Sequence, residues 1–206
     1  MTVPSRQIGW GPQENLLQYI SKQLENMYCQ LCKAIIPGPP GPPGAVGGYY
    51  GTFVSLLDQS TTVNTVTPFR MEDTYLSNGI TVVNDTFGYP TIIQIAHAGV
   101  YNVALSAQFH YTGGGGAGQE VNIWIKRNGV STPYTDRKLI VPSNAPYVIA
   151  AFNIFIDVPI AGGTLPEEVQ VVWVTDNASI VLEAETPIVG GSPGIVSVAV
   201  TVNQVG

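Results

Sequence analysis

Charge is the scarcest property of this sequence. Asp, Glu, Lys and Arg make up 11% of the 206 residues, against roughly 25% in an ordinary soluble domain. The 8 Lys and Arg residues are scattered among 14 Asp and Glu residues, so the clustered basic face that binds phosphate backbones is missing and nucleic acid is not an expected partner. A surface so poor in charge is typical of a chain that buries part of itself against copies of itself.

Long apolar runs are also missing. No run reaches the ~20 residues that a membrane-spanning helix needs, and the N-terminus lacks the charged-then-apolar pattern of a signal peptide. We therefore expect no membrane insertion. We expect synthesis in a cytosol and delivery to any external location by another route, such as assembly into a particle.

Cysteine and histidine are too few for most metal sites. Cys29 and Cys32 form a CxxC pair, but a structural zinc site needs four ligands and the chain has no second pair. We interpret them as outward-facing helix residues. His97 and His110 have no third ligand at a useful spacing and are interpreted as structural. We expect no metal and no cofactor.

The sequence also offers no defensible catalytic set, so we expect a protein that is not an enzyme. Asp136–Lys138, which follow Tyr134, are interpreted as a solvated loop. Gly113–Gly116 lack the following Lys-Ser/Thr of a phosphate-binding loop and are interpreted as a tip between strands.

A helix is predicted over residues 12–36, after an irregular segment at 1–11. Pro12 suits the first helical position, no Gly or Pro follows until residue 37, and Pro37-Gly38 end the run. Apolar residues repeat in heptads, which predicts a coiled-coil stalk favouring trimers or tetramers. An amphipathic helix packed on its own domain is the alternative. The predicted stalk core is Leu17, Ile20, Leu24, Met27 and Leu31.

Residues 37–48 have the glycine spacing of collagen. Pro-Pro pairs separate the first three of four glycines placed three residues apart, and only glycine fits the axis of a triple helix. A polyproline II spacer without strand exchange is the alternative. The glycines are Gly38, Gly41, Gly44 and Gly47.

From residue 49 to 206 the apolar period becomes two, which predicts an all-β sandwich. Runs at 101–111, 121–126, 152–157 and 195–205 alternate apolar and polar residues between Gly, Pro and Asn turns. Some strands carry small or apolar residues on both sides, which indicates one side towards the core and the other towards a partner subunit. The residues that suggest this are Ala104, Phe155, Val172 and Ala199.

Four segments of this region resemble the C1q/TNF-like superfamily. AGVYNVALSAQF (98–109) resembles its glycine-aromatic strand and VNIWIKRNG (121–129) the strand-turn after it. EEVQVVWVTDNASIVLEAE (167–185) is similar to the penultimate hairpin and PGIVSVAVTVNQV (193–205) to the closing strand. The resemblance implies a trimeric jelly-roll head.

A second resemblance is to bacteriophage fibre and other virion proteins. It is carried by RQIGWGPQENLLQYISKQLE (6–25) and again by 193–205. The resemblance implies a homotrimeric virion component whose N-terminal segment docks on other virion proteins through Ile8 and Trp10. The head would point outward, with a host surface receptor or glycan as its candidate target. A cell- or spore-surface collagen-like protein with a C1q-like head is the alternative.

Overall fold

The computed structural model describes residues 12–34, 48–114, 118–143, 147–159, 166–185 and 193–206. The chain divides into two units, Met1–Val46 and Gly47–Gly206. Each unit is described here by itself.

The first unit contains the helix α1, Pro12–Ala34. The prediction of a helix starting at Pro12 is confirmed as far as Ala34, and residues 35 and 36 of the predicted span lie outside the described residues. From residue 16 to residue 29 its side chains are exposed or half-exposed. The four collagen-like glycines lie outside the described residues, so the triple helix stays a prediction. The segment with Ile8 and Trp10 also lies outside them, so its anchoring role stays a prediction too.

The second unit is a sandwich of two antiparallel sheets, called sheet I and sheet II. Sheet I contains β1 Tyr50–Ser55, β2 Gln59–Ser60, β4 Asp73–Asn78, β7 Gly99–Tyr111, β11 Val148–Val158, β13 Ile180–Leu182 and β14 Val198–Gln204. Sheet II contains β3 Thr67–Pro68, β5 Ile80–Asn84, β6 Pro90–Ile95, β8 Gln119–Arg127, β9 Val130–Ser131, β10 Arg137–Val141 and β12 Glu167–Thr175.

Eight of these strands form a jelly roll. Sheet I has the order β1-β14-β7-β11, and sheet II has the order β6-β12-β8-β10. Along the chain, β1, β7, β11 and β14 in sheet I alternate with β6, β8–β10 and β12 in sheet II. This crossing between two antiparallel sheets is the double Greek-key arrangement of a jelly roll. The predicted mainly β jelly-roll sandwich is therefore confirmed by its strand order.

The long strand β7 organises sheet I. Phe109 pairs with Val148 of β11 and with Leu182 of β13, so β11 lies along one edge and β13 along the other. The last strand, β14, continues the β13 edge by pairing Val198 with Ala107. Because β14 also pairs with β1, the final strand lies in the middle of its sheet.

The inward-facing residues of both sheets meet in one core. Phe109 and Trp173 pack edge to face with ring centroids 5.5 Å apart, and Phe69 lies 6.3 Å from Trp173. Such tilted and offset contacts between large rings contribute beyond the area they bury. These three rings and Phe53 are each fully buried.

The side chain of Arg127 ties the two sheets together at one end. Arg127 Nε donates to Glu167 Oε1 at 2.7 Å, and Arg127 Nη2 donates to the Asp157 carbonyl at 2.7 Å. Glu167 is almost fully buried, so its charge is balanced where water cannot solvate it. The contact links β8 and β12 of sheet II to β11 of sheet I.

Three expectations from the sequence need correction. The segment 167–185 is not a hairpin, because β12 belongs to sheet II and β13 to sheet I. Arg137 and Lys138 begin β10 and do not lie in a loop. Val172 is 1% exposed and therefore cannot face a partner subunit. The strand and turn that the resemblance implied at 121–129 are confirmed. Asn128 and Gly129 both have positive φ, as a tight hairpin turn requires.

Candidate assembly face

The outer side of sheet I is a broad surface built from four adjacent strands. The registers of β1, β14, β7 and β11 place its residues in three cross-strand rows. They are Val54, Ala199, Ser106 and Ala151, then Thr52, Thr201, Ala104 and Asn153, then Tyr50, Asn203, Asn102 and Phe155. We call these twelve residues the uncharged face, because none of them is Asp, Glu, Lys or Arg.

The side chains at the centre of the uncharged face are small, and larger ones lie on its outer strands β1 and β11. Ala104, Ala199 and Thr201 lie at its centre, and their short side chains leave the surface shallow. On the edge strand β11, Phe155 and Ile149 are each 63% exposed. Two large apolar side chains beside a flat surface of small ones are what an interface needs. The large side chains can anchor one subunit on the flat surface of another.

Polar groups of the uncharged face bond to one another sideways. Asn153 Nδ2 donates to Asn102 Oδ1 at 3.3 Å, and Asn102 Nδ2 donates to Asn203 Oδ1 at 3.5 Å. The hydroxyls of Thr52 and Thr201 lie 3.4 Å apart. Because burying a polar group costs less when it keeps a hydrogen bond, these contacts lower the cost of covering the face.

One end of the same side carries charge. His110 Nδ1 pairs with Glu183, and the His110 ring lies 4.9 Å from that of Tyr147. Hydrogen bonding to Glu185, with desolvation and the charge of Glu183, raises the pKa of Tyr147 to about 12. A cavity of about 400 Å³ opens here between β2, β13 and β7, lined also by Asp58. The carboxylates of this end are thus engaged by local donors.

The outer side of sheet II is different in character. It presents Glu120, Lys126, Glu168 and Lys138 on β8, β12 and β10. Lys138 pairs with Glu120, and this hydrogen bond lowers the pKa of the Glu120 carboxyl. Gln94 Nε2 donates to Glu168 Oε1 at 3.3 Å. Charged side chains that pair along a sheet and stay hydrated are typical of a surface facing solvent.

The predicted stalk residues lie on α1, whose association with other helices is not seen in a single chain. Leu17, Ile20, Leu24 and Met27 are between 45% and 65% exposed. The side chain of Leu31 lies outside the described residues. These exposures show an apolar stripe along the helix surface, and its association into a coiled coil stays a prediction.

The histidines and the described cysteine have specific surroundings. His97 stacks on Tyr49 with ring centroids 3.6 Å apart, and His110 forms the contact with Glu183 given above. Cys29 is exposed and is not in a disulfide, while the Cys32 side chain is not among those described. Among the described residues, no three His, Cys, Asp or Glu side chains gather as metal ligands would. The described helix, α1, is not long and apolar enough to cross a membrane.

The sequence indicated part of the uncharged face. Ala104, Ala199 and Phe155 were expected to face a partner, and all three lie on it. Tyr50 and the asparagines that bond across strands were missed. Their joint presence depends on pairing between residues about a hundred positions apart in the chain, since Asn102 and Asn203 are separated by 101. A run of small uncharged residues at every second position was the available signal.

No family model and no curated protein matches this chain. Solved structures similar to it include murine APRIL at pH 5.0, with a TM-score of 0.48, 10% identity, and coverage of 77% of this chain and 100% of that one. The globular domain of zebrafish complement 1qA protein has a TM-score of 0.47 and 7% identity, covering 77% and 98%. The PRD1 vertex protein P5 has a TM-score of 0.43 and 10% identity, with coverage of 77% of this chain and 73% of that one. At these scores the fold assignment rests on the strand order itself.

Proposed function

We propose that this chain is a structural, non-enzymatic protein that assembles into a homotrimer through the uncharged face of sheet I. The trimer would be an appendage of a bacteriophage particle, anchored by its N-terminal segment with the heads outward. The observation that carries the proposal is the contrast between the uncharged face of sheet I and the paired charges on the outer side of sheet II.

The composition of the uncharged face supports a protein partner. Interface cores are depleted of charge and contain exposed aromatic anchors, and this face combines both features with Phe155 at its edge. In a closed ring, the anchor of one subunit contacts the recess of the next. Phe155 and Ile149 of one subunit would therefore cover Ala104 and Thr201 of its neighbour.

The number of copies is argued from the N-terminal unit. Leu at heptad position a with Ile20 at d disfavours a dimer. The Gly-Pro-Pro triplets could form collagen structure only with three chains. Because the helix exposes its apolar stripe in the single chain, a threefold stalk would satisfy both segments at once.

Placement on a virion is supported by the sequence resemblance of 6–25 and 193–205. Ile8 and Trp10 would fill a pocket on a particle protein, since exposed aromatic residues are common anchors. Particles assembled with a chain lacking residues 1–36 should then lose the head, as measured by immunoblot. Undiminished incorporation would show that the head itself docks. Trp10→Ala should weaken attachment, whereas a mere helix-capping role would change only stalk stability.

Oligomeric state tests the assembly proposal directly. Sedimentation equilibrium of the full chain should give a trimer, and residues 49–206 alone should also give one if the head supplies most of the contact. A stable monomer of the head would contradict the role of the uncharged face. Co-purification with assembled phage particles would separate a virion role from the alternative of a cell- or spore-surface protein.

A further inference from the structure

A pocket opens on the opposite side of the molecule from the uncharged face, at the edge of β8. β9 and β10 both pair with this edge, and residues 132–136 arch outward between them. The pocket has a volume of about 310 Å³ and is lined by Trp124, Ser131, Thr132, Pro133, Tyr134 and Asp136. That volume lies at the lower end of the range of roughly 300–1,000 Å³ for small-ligand sites.

The arch is held in one conformation by hydrogen bonds of the buried Thr135 hydroxyl and of Arg137. Thr135 is 4% exposed, and its hydroxyl accepts the Ile125 N–H at 3.1 Å and donates to the Thr132 carbonyl at 2.8 Å. Arg137 Nη1 donates to the Asp136 carbonyl at 2.8 Å and to the Tyr134 carbonyl at 3.3 Å. The pocket wall is thus built before any ligand arrives, which reduces the ordering cost of binding.

Tyr134 is placed in a way that folding alone does not explain. Its φ of 64° lies in the left-handed region, which disfavours residues with a Cβ, and glycine would adopt it more easily. Its side chain is 98% exposed, so the ring gains almost no packing in return. A bulky residue held in strained backbone with its ring in water points to a role in binding.

The other lining groups define the ligand chemistry. Trp124 is half-buried, and its indole N–H donates to the Ser131 hydroxyl at 3.0 Å, which fixes the ring beside the arch. The lining therefore offers two aromatic rings, the hydroxyls of Ser131 and Tyr134, and one carboxylate, whereas the Thr132 hydroxyl is buried. A pyranose ring has an apolar C–H side that stacks on aromatic rings and hydroxyls that bond to carboxylates and alcohols. Asp136 is the only charged residue of the lining, so an anionic sugar would be repelled.

We propose that this pocket binds a neutral hexopyranose unit of a cell-surface glycan. The inference rests on the proposed function, because a head displayed on a particle would meet such a glycan. Trp124 lies on the outer side of sheet II, so assembly through sheet I would leave the pocket open in every subunit. The single-ring volume predicts weak binding per site, strengthened when three heads contact one surface.

Saturation-transfer NMR on the full chain would test this with methyl glycosides of glucose, galactose, mannose and N-acetylglucosamine, and with methyl glucuronide as the anionic comparator. At least one neutral glycoside should receive saturation, and more strongly than the glucuronide. Tyr134→Gly should weaken that binding at least tenfold while the melting temperature stays equal or rises, since glycine tolerates the backbone angle. Tyr134→Phe should keep most of the binding.

Tyr75→Ala is the matched control, because Tyr75 is 84% exposed on β4, away from the pocket. It should leave glycoside binding unchanged. Absence of transfer to all four neutral glycosides, or equal binding by Tyr134→Gly and the unaltered chain, would overturn the proposal. Sedimentation of the same samples distinguishes the two proposals: a trimer that binds no glycoside refutes only the pocket, and a monomer that binds one refutes only the assembly.

Discussion

The two outer sides of the sandwich share one core but differ in what they present. On the uncharged face of sheet I the hydrogen-bonded polar side chains are Asn and Thr, and they bond to each other along the surface. On sheet II they are Glu and Lys, which pair and remain hydrated. The inner sides of both sheets are equally apolar, so folding does not require this difference. A sheet that packs against another protein can therefore be recognised from its outer side. Leaving charge out of that side has no benefit for a surface that stays in water.

The largest effect should come from a charge placed at the centre of the uncharged face. Ala104→Lys would bury one ammonium group in each interface, and desolvating an unpaired ion costs several kcal/mol. We expect at least ~100-fold weaker association, roughly 2.8 kcal/mol, seen by sedimentation. Gln170→Lys on the outer side of sheet II is the control and should leave the trimer intact. Equal effects of the two changes would remove the distinction between the sheets.

Phe155 tests whether the edge of the uncharged face supplies an anchor. Because its ring is 63% exposed in the single chain, Phe155→Ser should hardly change the stability of the monomer. Association should weaken by about 2 kcal/mol, as truncation of an interface anchor does. Phe87→Ser, at an 83% exposed ring, is the matched control. Unchanged trimer dissociation on dilution of Phe155→Ser would place this ring outside the interface.

A third change asks whether the helix or the head drives assembly. Leu24→Asp puts a charge in the apolar stripe of α1, where a buried heptad position would not accept it. Circular dichroism should lose helix and keep the β signal, and sedimentation should still show a trimer. Simultaneous loss of both signals would show that helix and head fold as one cooperative unit.

The smallest effect concerns a charge on sheet II. The hydrogen bond from Lys138 lowers the pKa of Glu120, so the ionised form is favoured in the folded state. Its stabilisation is present above the unfolded pKa of about 4.3 and is lost as the pH falls through the lower folded value. Glu120→Gln should therefore melt slightly below the unaltered chain at pH 7 and equally at a pH below both values. Glu72→Gln, on an exposed residue, serves as the control, and neither change should alter the oligomeric state.

The sequence predicted those features that depend on local pattern. The heptads and the flanking Pro12 predicted α1, and alternation predicted β7, β8, β11 and β14. Alternation separates inner from outer residues but does not say which sheet a strand joins, so it could not correct the hairpin that the resemblance wrongly implied for β12 and β13. The same limit explains Val172, whose position on a strand looked outward but which is covered in the fold.

The candidate sites were less predictable because they depend on distant pairings. His110 meets Glu183 across 73 positions, and Thr52 meets Thr201 across 149. Of the arch at 132–136, the sequence singled out Asp136, which was interpreted with Arg137 and Lys138 as part of a solvated loop. The positive φ of Tyr134 and the buried hydroxyl of Thr135 are properties of the folded backbone that no spacing in the sequence announces.

The central position of β14 also governs how the protein is made. Strand β1 cannot pair with β14 until Thr201, the partner of Thr52, has been synthesised. At about 5–20 residues per second, a ribosome takes roughly 7–30 seconds to add the 149 positions between them. Until then β1 and β7 have no strand between them, and the surface proposed for assembly does not exist. A chain that stops before residue 198 would lack the β14 residues of the uncharged face, so the proposed assembly would exclude truncated chains.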